Sequence, residues 1–302
     1  MDWVLAPLRY EFFQHGLVAA ILIGSLCGLI GVYIVLRGMS YIGHGLSHAV
    51  FGGAVISYVM SINFYLGAGL WGAFAALLIN AITRGKKIGP DAAIGIVSTA
   101  SFAIGVALIS RVRRFTLNFE AALFGNILGV TGEDLLIISA VTFLSMVVIF
   151  LFYKQLLFTI FDRDAAQVYG VPTQWVDTAF SLILAASIIA SMQVIGVTMI
   201  AAAIVIPAVS ARLLTNSFNR MILLATAMGM ATTIVGMYAS YYLNAASGAT
   251  VVLSAAVILG LIMAYQYVRE RVLAHEHLHR HPEVLHQHAH GTPEEEKHIH
   301  HP

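Results

Sequence analysis

Two histidines carry the chemistry that this sequence offers most plainly. His44 and His48 lie four residues apart inside an apolar stretch, with Ser47 between them. On a helix that spacing puts both imidazoles on one face, with Cβ atoms about 5–6 Å apart. Two neutral ring nitrogens at such a separation can share one divalent metal ion. Each histidine alone is explained by a hydrogen bond to a neighbouring helix. The pair, with Ser47, favours a metal path, because polar side chains within a membrane face the bundle interior. Gly43, Gly45, Ala49, Gly52 and Gly53 surround the pair, and small residues let neighbouring helices come close.

A second store of imidazole stands at the far end of the chain. His275, His277, His279 and His281 form one cluster, His286, His288 and His290 a second, and His298, His300 and His301 a third. Each has the residue types that bind zinc, nickel or copper. The segment also carries acids and prolines with almost no apolar surface, so it reads as a disordered tail that buffers or senses metal. The remaining histidine, His15, stands beside Glu11 and Gln14 and reads as interfacial.

The elements that must position the pair are long apolar helices. Apolar residues make up 59% of the 302 and charged residues only 10%, against about 25% charged in soluble domains. Runs near 16–36, 41–62, 64–82, 92–110, 134–153, 177–194, 197–214, 221–243 and 248–268 approach the ~20 residues that cross a bilayer. They lack the period-two alternation of a membrane barrel. The fold class is therefore all-α, a polytopic transmembrane bundle of eight or nine spans ending in the His-rich tail. Residues 1–14 form an N-terminal interfacial segment, 15–270 the membrane domain and 271–302 the tail. The division around Gln193 to Gly196 is short, and Ala121 to Val130 reads as a re-entrant or interfacial piece.

Positive charge orients the bundle. Nine spans place Arg84, Lys86 and Lys87, then Lys154 and Arg163, then Arg212 and Arg220, on the cytoplasmic side with the C-terminus. Arg111, Arg113 and Arg114 fall on the other side, against the rule. Asp91 and Asp177 read as N-caps of the helices that follow them. Cys27 lies in the first apolar run and reads as a packing residue. No basic face with interleaved aromatics marks the chain as a nucleic-acid binder.

Between two of the runs, residues 161–172 read FDRDAAQVYGVP, a short helix stopped by Gly170 and Pro172. This segment resembles the coupling helix of the metal-importing ATP-binding-cassette permeases, the zinc, manganese and iron uptake family. RGMSYIGHGLSHA over 37–49, DAAIGI over 91–96 and GVTMIAAAIVIPA over 196–208 are similar to further motifs of that family, in order. The resemblance covers residues 12 to 268. It implies a permease subunit, not an enzyme, in the plasma membrane. The partners it implies are a second permease copy, membrane lipid, an extracytoplasmic metal-binding protein and a cytoplasmic ATPase. By position, Phe161, Asp162, Ala165, Ala166, Tyr169 and Gly170 would face that ATPase. No Gly-x-x-x-x-Gly-Lys-Ser/Thr loop occurs here, as expected if the ATPase is another chain.

One departure bears on the cargo. The family's motif has an aspartate four residues before the histidine, where this chain has His44. A carboxylate suits manganese, and a second imidazole leans towards zinc. No permanently bound cofactor is expected, only the transported zinc or manganese, with iron a further candidate. The alternatives are a gradient-driven secondary zinc transporter and a membrane metalloenzyme. The second of these lacks a His-Glu-x-x-His arrangement.

Overall fold

The nine apolar runs all appear as helices in a computed structural model. It describes residues 5–84, 87–111 and 123–280, with side chains described as far as Arg271. The helices are α1 (Glu11–Leu36), α2 (Tyr41–Val59), α3 (Phe64–Arg84), α4 (Pro90–Arg111) and α5 (Gly132–Leu151). Two short ones, α6 (Tyr153–Phe161) and α7 (Arg163–Val168), precede α8 (Thr173–Ile195), α9 (Ile200–Leu214), α10 (Phe218–Leu243) and α11 (Ser247–Arg280). Among the described residues, seven helices are long and apolar enough to cross a membrane: α1, α3, α4, α5, α8, α10 and α11 as far as Arg271. The other two runs give α2, with 19 residues, and α9, with 15. At about 1.5 Å per residue α2 extends ~28 Å, close to the thickness of the hydrocarbon core.

The chain forms two compact units, residues 1–262 and 263–302. In the first, α1 and α8 are the inner helices, while α3, α4, α5 and α10 leave broad apolar faces outward. α1 packs along α10 and α9, and α2 lies against α4 and α3 and touches α8 and α9. Small residues bring α1 and α10 together: a Cβ on Gly24 would strike Gly229, and one on Gly28 would strike the Ala225 backbone. The Thr233 hydroxyl of α10 donates to the Ala20 carbonyl of α1 at 2.7 Å. Lipid tails are as apolar as the helices, so close packing and such hydrogen bonds hold the bundle in place of a hydrophobic driving force.

The segment expected to be re-entrant or interfacial is described from Leu123 to Val130; Ala121 lies outside the described residues. The segment lodges against the break between α8 and α9. Asn126 N–H donates to the Gln193 carbonyl at 2.9 Å, and the Thr198 hydroxyl to the Leu123 carbonyl at 2.6 Å. Ser247 accepts from Ile127 N–H at 3.0 Å and donates to the Val194 carbonyl at 2.8 Å. Irregular backbone at membrane depth is tolerated where protein satisfies it in this way. Gly196, at φ 84°, ends α8 and abuts Gly125, itself at φ 82°. The short division expected near Gln193 to Gly196 is therefore a real helix break.

In the second unit, α11 continues helical to Arg280, beyond the point where composition places the tail. His275, His277 and His279 fall within this helix. His281, His286, His288, His290, His298, His300 and His301 lie outside the described residues, as do Lys86, Arg113 and Arg114.

Candidate functional site

α1 ends on a left-handed glycine, and that stop presents the histidine helix. Gly38 has φ 66°, Met39 N–H reaches back to the Ile34 carbonyl at 3.2 Å, and Gly38 N–H to the Val35 carbonyl at 3.2 Å. This pair of bonds is a Schellman cap, which satisfies otherwise orphaned carbonyls. α2 starts two residues later. His44 thus stands about one turn inside α2, and His48 about 6 Å further along the axis.

The two imidazoles do meet. Their ring centroids lie 4.5 Å apart at an interplanar angle of 78°, and both side chains are half-buried. His48 also stands edge-on to Phe102 of α4, with centroids 5.2 Å apart. Tyr41 lies 5.7 Å from His44. Ser47 does not join them. It is fully buried, and its hydroxyl donates to the His44 carbonyl at 2.8 Å, within its own helix. The glycines act as expected from their size: a Cβ on Gly45 would meet Ile94, one on Gly52 the Ser101 backbone, and one on Gly53 the Trp71 side chain. No group of three or more metal-ligating side chains occurs among the described residues. The pair is what one chain supplies there.

The short segment between α5 and α8 has its own geometry. The Asp162 carboxylate caps α7 by accepting from Ala165 N–H at 2.8 Å. A second Schellman turn closes the helix, with Gly170 at φ 81° and Val171 N–H bonded to the Ala166 carbonyl at 2.9 Å. Phe161 and Tyr169 are 69% and 80% exposed; Asp162 and Gly170 are exposed and Ala165 half-buried. Ala166, expected among the outward-facing residues, is instead fully buried. It holds the helix onto the bundle and so presents no outer surface. Val168, 85% exposed, takes the outward place. Six residues are too few for periodicity to tell the inner face from the outer.

The structure also joins residues that no local pattern connects. Asp177 is not the N-cap of α8, which starts after Pro172. Its carboxylate bonds Arg37 Nη1 at 3.0 Å through one oxygen and Arg163 Nη1 at 2.6 Å through the other. The Arg37 guanidinium lies 4.4 Å over the Phe180 ring. Burial pushes the Arg37 pKa down while Asp177 opposes the shift. Arg37 nonetheless stays charged, as guanidinium does in proteins. Asp91 falls inside the first turn of α4, after Pro90, and Cys27 is a buried free thiol. His15 is half-buried near the start of α1.

Comparison with known proteins places the chain in a family. Residues 9–266 match the ABC 3 transport family. The manganese transport system membrane protein MntC of Halalkalibacterium halodurans is 38% identical over 254 residues, covering 84% of this chain and 87% of its own. The chelated iron transport system membrane protein YfeC of Yersinia pestis is 31% identical over 252 residues, covering 83% and 85%. PsaBC from Streptococcus pneumoniae, solved in complex with a Fab, superposes with a TM-score of 0.78 at 34% identity. That match covers 86% of this chain and 94% of the solved one. The metalloenzyme and gradient-driven alternatives fall away. The chain belongs to the ABC 3 transport family, as a multi-pass plasma-membrane permease subunit whose ATPase is a separate chain.

Proposed function

We propose that this permease imports a divalent transition metal, passing the ion along a path that includes His44 and His48. The observation that carries the reading is the half-buried imidazole pair at 4.5 Å, set in the family's second-helix motif. The names of the relatives, which refer to manganese and to chelated iron, support a metal cargo. The second imidazole leans the choice towards zinc among the three. A transit site must release what it binds, so two protein ligands suit it better than a closed tetrahedral cage.

The remaining assignments follow from the same reading. All nine long helices cross the membrane, α2 and α9 included, with α6 and α7 on the cytoplasmic side. An extracytoplasmic binding protein delivers the ion, and two permease copies pair. A cytoplasmic ATPase docks on the exposed Phe161, Val168 and Tyr169. The His-rich tail, residues 271–302, buffers metal at the exit. The protein holds no permanent cofactor.

The test is uptake of Mn²⁺ and Zn²⁺ into proteoliposomes containing the permease and its co-purifying ATPase. ATP-dependent uptake of at least one ion, lost in His48→Ala, is the expected result. Wild-type uptake by His48→Ala at equal protein incorporation contradicts the histidine path.

A further inference from the structure

The geometry points to Asp177 as the joint through which motion of the coupling segment reaches the histidine helix. This rests on the reading of α6 and α7 as the ATPase-docking segment.

One carboxylate here serves two cations on two separate elements. Asp177 Oδ2 holds Arg163, the first residue of α7, and Oδ1 holds Arg37. Arg37 in turn is the last residue before the Gly38 turn, and Ile42 N–H of α2 bonds directly back to the Met39 carbonyl at 2.9 Å. The link from α7 to the foot of α2 therefore runs through two ion pairs and one tight turn.

The two arginines are held unequally. Arg163 has a side chain 51% exposed, whereas that of Arg37 is 10% exposed. Water can replace the partner of Arg163, so that ion pair can open at little cost. Arg37 has no such recourse. Its Nε and Nη2 are buried without a hydrogen-bond partner among the described residues, and a buried unmet donor is unfavourable. While Arg163 holds one oxygen of Asp177, Arg37 makes a single bond to the other. Once α7 withdraws Arg163, both oxygens become available, and the two-pronged pairing that guanidinium prefers can form.

Asp177 thus has two arrangements, one shared between α7 and α1 and one committed to Arg37. A discrete pair of states at an interface is what converts a small displacement into a switch. In the committed state Arg37 turns towards Asp177, drawing the Gly38 turn and the first turn of α2, which carries His44. Asp177 is a positioning residue: it touches no cargo and acts through Arg37.

The test uses the permease with its co-purifying ATPase in proteoliposomes, scoring ATP hydrolysed and Mn²⁺ or Zn²⁺ moved in the same vesicles. Arg163→Gln should keep ATPase association and hydrolysis while metal moved per ATP falls about tenfold, a typical coupling free energy expressed as a ratio. Asp177→Asn should do the same, and Asp177→Glu should restore much of the ratio. A mere staple would lower yield and thermal stability yet leave the ratio unchanged, and that result overturns the inference. Should Asp177→Asn fail to reach the membrane, Arg163→Gln decides alone, because its half-exposed side chain is dispensable for packing. Tyr169→Asp separates the two levels. If it leaves ATPase association intact, the docking surface is wrongly assigned and the inference falls with it. If it abolishes association while Arg163→Gln keeps the wild-type ratio, only the joint is wrong.

Discussion

The imidazole of His48 stands perpendicular to the ring of Phe102, at 89° and 5.2 Å between centroids, so a residue of α4 fixes the orientation of a side chain on α2. Phe102 also packs on Phe51, one helical turn beyond His48, at 5.3 Å. An imidazole held on two sides has few rotamers left, which keeps its nitrogens aimed in one direction. Phe102→Ala should therefore lower metal uptake several-fold with His48 still present, through lost orientation. Phe102→Leu, closer in volume, should do less harm. The measurement is initial uptake rate at equal incorporation, and equal rates for Phe102→Ala and the wild type would refute the orienting role.

On the proposed histidine path, uptake should also be sensitive to acid. Imidazole binds metal only when neutral, and its ordinary pKa is about 6.5. Protons therefore compete with the metal ion for the ring nitrogens. Uptake at constant ATP should fall as the outer and inner pH drop together from about 7.5 to about 5.5.

His44→Asp should change both the acid limit and the choice of ion. A carboxylate of ordinary pKa about 3.9 stays charged where imidazole protonates, so part of the acid loss should disappear. The harder oxygen ligand should also raise Mn²⁺ uptake relative to Zn²⁺. Competition between the two ions in one vesicle preparation measures this directly. An unchanged preference would mean that position 44 does not contact the ion.

How much of this was legible in the sequence depends on how local each feature is. The nine helices, the His44–His48 face and the Gly170 stop are set by spacing within a few residues, and each is present. Ser47 was misleading because a buried helical serine has an acceptor in its own backbone three residues back. Asp177 resembled a cap because a lone carboxylate before an apolar run usually is one. Its partners, Arg37 at 140 residues' separation and Arg163 across the Gly170 turn, are set by packing of α1 and α7 against α8, and no periodicity records that. Ala166 and Val168 could not be told apart in a helix of six residues.

Packing around the pair gives a contrast between two glycines on one helix. A Cβ at Gly52 would run into the Ser101 backbone, whereas one at Gly43 has Ala201 Cα at 3.9 Å as its nearest neighbour. Backbone cannot swing aside as a side-chain tip can. Gly52→Ala should therefore destabilise by about 1–3 kcal/mol through forced separation of α2 and α4. Gly43→Ala should be neutral or slightly stabilising, since alanine suits a helix better than glycine. Thermal unfolding in detergent, followed for both variants, should lower Tm for Gly52→Ala alone.

The cap on α7 orders the end of the helix that carries Val168 and Tyr169. Asp162 accepts from Ala165 N–H at 2.8 Å, and losing such a cap costs about 1 kcal/mol. The bundle has many other contacts, so global stability should barely change in Asp162→Ala. A helix of six residues has few bonds of its own, and its order depends on that cap and on Ala166 beneath it. Fraying would spread Val168 and Tyr169, the exposed side chains that a docking partner must find in register. Asp162→Ala should thus weaken recovery of the ATPase on affinity purification of the permease, while Asp162→Asn, which keeps the accepting oxygen, should retain it. Equal recovery with both variants would show that the partner does not read the ordered end of α7.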